Sequence, residues 1–228
     1  MDGSDQTSTS GSRAQVSPDW EAQRQLMVET QLRARDITAP AVLLAMAHVP
    51  RHLFVPERVR ALAYRDHPLP IGYEQTISQP YIVAYMTQLL DLPPNARVLE
   101  VGTGSGYQSG VLAEVAAEVY TIEIVPELAD RSASILAELG YENVRVKAGD
   151  GYLGWPEHAP FDGIMVTAAP DHVPQSLIEQ LAVGATLVLP VGQDFQVMTI
   201  LTKTEVGVTT ERTIPVRFVP MTGRALAR

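Results

Sequence analysis

Residues 97–106, RVLEVGTGSG, combine residue types that can hold a charged small molecule. Val98, Leu99 and Val101 surround Glu100 and run into Gly102, Thr103, Gly104 and Gly106, after which YQSGVLAEVA reads as the first turns of a helix. A strand that empties through glycines into a helix lets backbone approach a ligand and brings helix N–H groups near it. The spacing is G-x-G-x-G, because Tyr107 stands where the dinucleotide fingerprint G-x-G-x-x-G has its third glycine. Glu123 closes the next apolar run, VYTIE, roughly 20 residues after Gly102, where a carboxylate for ribose hydroxyls belongs. The glycines alone say little. With Glu100 and Glu123 they favour the nucleoside cofactor S-adenosylmethionine over NAD.

The elements that must position these residues follow from periodicity. From Arg97 onward the chain alternates: strand 97–102, helix 107–116, strand 119–123 and helix 126–139. Strands at 143–151 and 161–169 come next, then a helix at PQSLIEQL and a strand at 184–192. A hairpin of 196–205 with 207–220 closes the chain. Such alternation with short connections predicts an α/β fold with a doubly wound, mostly parallel Rossmann-like sheet, and the hairpin adds antiparallel pairing at one edge. Ligands in these sheets sit at the carboxyl ends of the strands, which puts Gly102, Glu123, Asp150-Gly151 and Thr167 on one rim. Plainer explanations exist for each: Asp-Gly is a common turn, and Glu123 could be a solvated strand end.

Before this core, Ser17 and Pro18 predict a helix start, with Trp20, Leu26, Met27 and Leu32 as its apolar face. A second helix is expected over 39–48 and a short one at RVRALAY. Residues 71–79, IGYEQTISQ, are harder to explain as packing, since Gln75, Thr76, Ser78 and Gln79 form a polar run just before Pro80 and a helix. Ser78 could cap that helix, or the run could offer neutral hydrogen-bond donors at the mouth of the cofactor site.

The 228 residues suffice for one sizeable domain with a net charge of −9, which argues against wholesale nucleic-acid binding. The division expected is a disordered tail at 1–17 and a single domain at 18–228. Within it fall a helical and substrate-loop part (18–92), a cofactor core (93–192) and a C-terminal hairpin (193–228). With no cysteine, and with Pro50 between His48 and His52, the histidines that stand four apart, neither a disulfide nor a metal site is expected. No secretory signal or apolar run near the ~20 residues of a membrane span is visible, so a cytoplasmic chain is expected. Its oligomeric state is left open.

The residues absent from the rim bear on the chemistry. The end of the strand at 161–169 reads Val166-Thr167-Ala168-Ala169-Pro170, where methylases of amino groups tend to carry Asn or Asp-Pro-Pro-Tyr/Phe. No carboxylate, tyrosine or histidine stands there to take a proton. An acceptor that is already an anion, such as a carboxylate, needs none, and its charge cancels the sulfonium's as the bond forms.

IGYEQTISQPYIVA, VLEVGTGSGYQSGVLAEV, IEIVPEL, GDG, FDGIMVTAAP, LVLPVG and VRFVPMTG follow in the order seen in protein-L-isoaspartate O-methyltransferases, and the resemblance spans about residues 20 to 223. It implies methyl transfer from S-adenosylmethionine to the free α-carboxylate of L-isoaspartyl residues, or of D-aspartyl residues as well, in damaged proteins and peptides. S-adenosylhomocysteine is the product, and the ester collapses to a succinimide that can reopen to aspartate. The resemblance implies Ser78 as the catalytic residue. It places Thr76, Gly102, Thr103, Gly104, Gly106, Glu123, Ile124, Asp150, Gly151 and Thr167 around the cofactor, and Ile71, Ser78, Val219 and Thr222 around the substrate. Family members often carry a small or neutral residue at Glu74. A carboxylate there would oppose an anionic substrate if it pointed inward, so it is expected to face solvent. The competing readings are a methyltransferase acting on RNA or a small molecule, and a catalytically silent binding module.

Overall fold

Seven strands form the central sheet of the computed structural model, which describes residues 19–226. The tail at 1–17 and the cap expected at Ser17-Pro18 lie outside the described residues. Asp19 caps the first helix, α1 (Trp20–Met27), its Oδ1 accepting the Ala22 N–H at 2.9 Å. The winding then widens to a π-helix over Val28–Arg33. This revises the expected apolar face. Met27 and Leu32, five residues apart, are both buried as an i to i+5 repeat allows, whereas Leu26 is 61% exposed. Helix α2 (Pro40–His48) ends at Val49-Pro50, and the short helix expected at 58–64 is a 3₁₀ segment, Glu57–Leu62.

The stretch expected as an irregular polar loop is instead a small hairpin. β1 (Leu69–Gly72) pairs antiparallel with β2 (Gln75–Ile77). Tyr73 and Glu74 form its tip with φ of 53° and 58°, the sign a two-residue hairpin turn demands. Both are exposed, so the Glu74 carboxylate faces solvent. Ser78 and Gln79 then lead into α3 (Pro80–Leu89).

The core alternates as its periodicity predicts: β3 (Arg97–Val101), α4 (Tyr107–Ala113), β4 (Glu118–Glu123), α5 (Pro126–Glu138) and β5 (Val144–Ala148). β6 (Phe161–Val166), α6 (Gln175–Gln180), β7 (Leu181–Val191), β8 (Gln196–Thr204) and β9 (Gly207–Val216) complete it. Strand order is β5-β4-β3-β6-β7-β8-β9. The pairs from β5 to β7 are parallel; β7 with β8 and β8 with β9 are antiparallel. The order reverses between β3 and β6, so the loops leaving these strands part and open a crevice at their carboxyl ends.

Side chains alternate across the sheet. Val98, Val119, Met165 and Val188 join the buried cluster that includes residues of α1 to α5. Leu99, Val101, Ile164, Val166 and Leu187 face the other cluster, with Leu177 of α6 and Met221. Among the described residues no helix is long and apolar enough to cross a membrane.

Glu100, between Leu99 and Val101, is fully buried. Burial lifts its carboxyl to about 8 against the pull of hydrogen bonds from Ser109 and Thr121, with the Glu123 charge adding to the rise. Ser109 donates to Oε2, and Oε1 has no partner. At neutral pH the side chain is therefore mainly a neutral acid. An acid whose folded pKa lies above its unfolded value favours the native state fully at low pH, and that contribution is lost as pH rises through about 8. Glu100→Gln is expected to flatten the fall in stability between about pH 5 and 8. It should make the protein more stable than the parent at the upper end by at least ~1.4 kcal/mol, as read by denaturant melts.

Candidate functional site

The loop between β3 and α4 turns on glycines for steric reasons. Gly102 has φ of 99°, and a Cβ there would run into the Thr167 hydroxyl at the end of β6. That hydroxyl is held by the Gly102 carbonyl at 2.6 Å, so the two diverging loops are tied at their roots. Thr103 is buried and its Oγ1 lies 2.6 Å from Thr121 Oγ1, linking the loop to β4.

Glu123 holds the loop's outer edge. Its carboxylate accepts the Gly104 N–H at 2.7 Å and the Val125 N–H at 2.9 Å, one on each oxygen. Each oxygen keeps a second lone pair, and the residue lines the cavity that opens above. Two fixed backbone donors thus pin the orientation of the carboxylate.

Asp150 is pinned in the same manner. Its Oδ1 accepts from Tyr152 N at 2.9 Å and its Oδ2 from Arg224 N at 2.8 Å, so it fastens the 3₁₀ turn Gly223–Leu226 over the cavity. The segment before this turn is brought in by pairing with the end of β6: Ala169 donates to Val219 O and Met221 to Ala169 O, both at 2.8 Å. Gln196 adds a second clasp, its amide accepting from Phe218 N at 2.6 Å and donating to Phe218 O at 3.1 Å. VRFVPMTG thereby reaches across the strand ends.

The resulting cavity encloses about 960 Å³ including its open mouth. Thr76, Ser78, Gly102, Thr103, Gly104, Glu123, Ile124, Asp150, Gly151, Thr167, Val219 and Thr222 all line it. A second groove adjoins it and shares Thr76, Ser78, Thr167 and Val219. Ser78 therefore stands where the two spaces meet. It does not cap α3, whose N-cap is Gln79 without a side-chain bond, and its hydroxyl has no protein partner among the described residues.

Two residues named from the sequence lie elsewhere. Ile71 is buried and lines neither space; its Cδ1 lies 3.6 Å from where a Cβ on Gly104 would sit, and its carbonyl accepts from Arg131 at 2.9 Å. It supports the glycine loop from beneath because β1 alternates and Ile71 falls on the inward face. Gly106 is the N-cap of α4 with φ of 85°, and a Cβ there would come within 3.1 Å of Ser132. It lets α4 pack on α5 and does not face the cavity.

Sequence reasoning missed Tyr107, Gln108 and Met86 on the cavity wall and Arg217 and Phe218 in the groove. Gln108 donates to Thr87 Oγ1 at 2.9 Å, a contact between helices that no spacing within one helix reveals. Arg217 stood in the quoted closing motif, and its charge in an otherwise neutral groove was the available signal. Among the described residues no histidine or lysine lines either space, and no cluster of acidic or histidine side chains could hold a metal.

The residues present suit S-adenosylmethionine. The cavity wall offers a fixed carboxylate in Glu123, a second in Asp150 and open backbone in the Gly102–Gly104 loop, groups of the kind a nucleoside with a charged tail requires. The family model for protein-L-isoaspartate(D-aspartate) O-methyltransferase matches residues 22–226. A protein-L-isoaspartate O-methyltransferase of Gloeobacter violaceus is 62% identical over 198 residues, 86% of this chain and 97% of its own. One of Picosynechococcus is 56% identical, covering 90% of this chain and 92% of its own. Among solved structures, a protein-L-isoaspartate O-methyltransferase superposes with a TM-score of 0.81 at 25% identity, over 90% of this chain and 67% of its own. A Plasmodium falciparum structure described as such an enzyme in complex with S-adenosyl-L-homocysteine gives 0.77 at 27% identity, over 87% and 98%.

Glu123→Ala removes both the diol acceptor and the loop's anchor. Calorimetric titration with S-adenosylhomocysteine is expected to show binding weaker by about 1–3 kcal/mol; unaltered affinity would remove Glu123 from the site.

Proposed function

The chain belongs to the protein-L-isoaspartate(D-aspartate) O-methyltransferase family, and from that membership we propose how its residues carry methyl transfer to an isoaspartyl α-carboxylate. When bound, S-adenosylmethionine supplies a methyl group on a sulfonium centre and leaves as S-adenosylhomocysteine. The chain's part is to hold the acceptor oxygen in line with that methyl and to keep water away.

The observation that carries this reading is the meeting of the two spaces at Ser78. The cavity over the glycine loop takes the cofactor, and the adjoining groove takes the polypeptide that bears the isoaspartyl residue. Ser78 donates its hydroxyl proton as a hydrogen bond to one carboxylate oxygen and so leaves the other aimed at the methyl. Val219 lines both spaces and Thr222 the cavity, so the closing segment covers the acceptor. No group is asked to remove a proton. Among the described residues the carboxylates on the cavity wall are Glu123 and Asp150, and both are engaged by backbone N–H groups. The Tyr107 hydroxyl points away toward Met46 Sδ at 3.7 Å.

Residues 18–228 act in this reading as one unit, working in the cytoplasm on isoaspartyl-containing proteins and peptides. A methyltransferase for RNA or a small molecule would be served poorly by the peptide-sized groove and by a single cationic side chain, Arg217, along it. The direct test offers the enzyme, with cofactor carrying a radiolabelled methyl, an isoaspartyl peptide and its normal aspartyl twin. Label is expected on the first only, and equal labelling of both would refute the assignment.

Ser78→Ala should leave S-adenosylhomocysteine affinity near the parent's while kcat/KM for the isoaspartyl peptide falls about tenfold or more, the scale of a lost positioning contact. A rate equal to the parent's would strip Ser78 of its role.

A further inference from the structure

Behind the wall at Ser78 lies the largest fully buried side chain of the molecule, Arg51. Its Nε donates to the Ala63 carbonyl and its Nη2 to the Ser78 carbonyl, each at 2.7 Å. The guanidinium lies over the Tyr107 ring, 4.8 Å from its centroid, and among the described residues Nη1 has no partner. Among the described residues no carboxylate pairs with it; the groups that face it are the rings of Tyr107 and Tyr64. Burial draws its pKa down to about 10, so it remains a cation at neutral pH.

An interior cation without a counter-ion is costly, and neutral donors could satisfy both carbonyls. Two of the residues it touches, Ser78 and Tyr107, line the cavity. We propose that Arg51 is a positioning residue for the reaction and that its missing counter-ion is the carboxylate of the substrate. It fixes the backbone of Ser78, and its charge, unneutralised in the resting protein, favours an anion over a neutral group in front of that residue. In a poorly hydrated interior such a charge acts over several ångströms. The inference rests on reading the site as one that takes an isoaspartyl carboxylate.

The test compares two peptides bound to the enzyme–S-adenosylhomocysteine complex: the isoaspartyl peptide and the same peptide with its α-carboxylate replaced by a neutral carboxamide. The unaltered protein is expected to prefer the carboxylate by about tenfold or more. Arg51→Met should bring the ratio within about threefold of one, while Arg51→Lys, which keeps the charge, retains most of it. Affinity for S-adenosylhomocysteine should stay within about threefold in both variants. A ratio unchanged in Arg51→Met, or a Lys variant no better than the Met variant, overturns the inference. Should Arg51→Met fail to fold, Arg51→Gln takes its place. Arginine ¹⁵N spectra of the unaltered protein read the same point, with the Arg51 Nε resonance shifting on addition of the carboxylate peptide and not of its carboxamide twin; no difference between the two contradicts the proposal. If the unaltered enzyme methylates no isoaspartyl peptide, the function itself falls and this inference with it. Methylation with an unmoved ratio refutes the role of Arg51 alone.

Discussion

The divergence of the chain at the carboxyl ends of β3 and β6 is the constraint on which the site depends. Two parallel neighbours whose following loops run to opposite sides leave a gap that backbone must line. Gly102 permits the close approach at its root, where the Thr167 hydroxyl takes the place a Cβ would need. Above it Glu123 spans the Gly104 and Val125 amides, so one carboxylate both shapes the loop and faces the ligand. These contacts use fixed backbone donors, which makes the orientation of the carboxylate a property of the fold and not of a flexible rotamer.

Around that gap the chain folds two further segments inward, one from each end. The hairpin β1–β2 delivers Ser78, and Arg51 ties the Ser78 carbonyl to that of Ala63 in the N-terminal part. From the other end, the strand-like pairing of Ala169 with Val219 and Met221, together with the Gln196 amide on Phe218, lays VPMT across the opening. Asp150 closes the arrangement by accepting from Arg224. The wall shared with the groove thus comes largely from segments far apart in sequence, while the glycine loop, Glu123 and Asp150 come from three successive strand ends.

That difference explains what the sequence disclosed. Strand–glycine–helix order, Glu123 and Asp150-Gly151 are local signals, and the alternation beyond Arg97 was enough to derive the doubly wound sheet. TISQP and VPMTG marked Ser78, Val219 and Thr222 through resemblance alone. Features that arise between elements stayed hidden. The pairing of β1 with β2 placed Ile71 inside the fold; α4 against α5 gave Gly106 a packing role; the π-helical widening after Met27 aligned Leu32 with Met27 in the core. Arg51 was unreadable for the same reason, since nothing in RHLFVP says that an arginine will be fully enclosed.

In the proposed function the acceptor arrives ionised, so that no proton moves as the methyl is transferred. The measurement that bears on it most directly is the solvent deuterium isotope effect on single-turnover methyl transfer to an isoaspartyl peptide. A value close to about 1 is predicted, because no bond to a solvent-exchangeable hydrogen breaks in the transition state. An effect of about 2 or more would mean that a base removes a proton during the transfer, and would contradict the account.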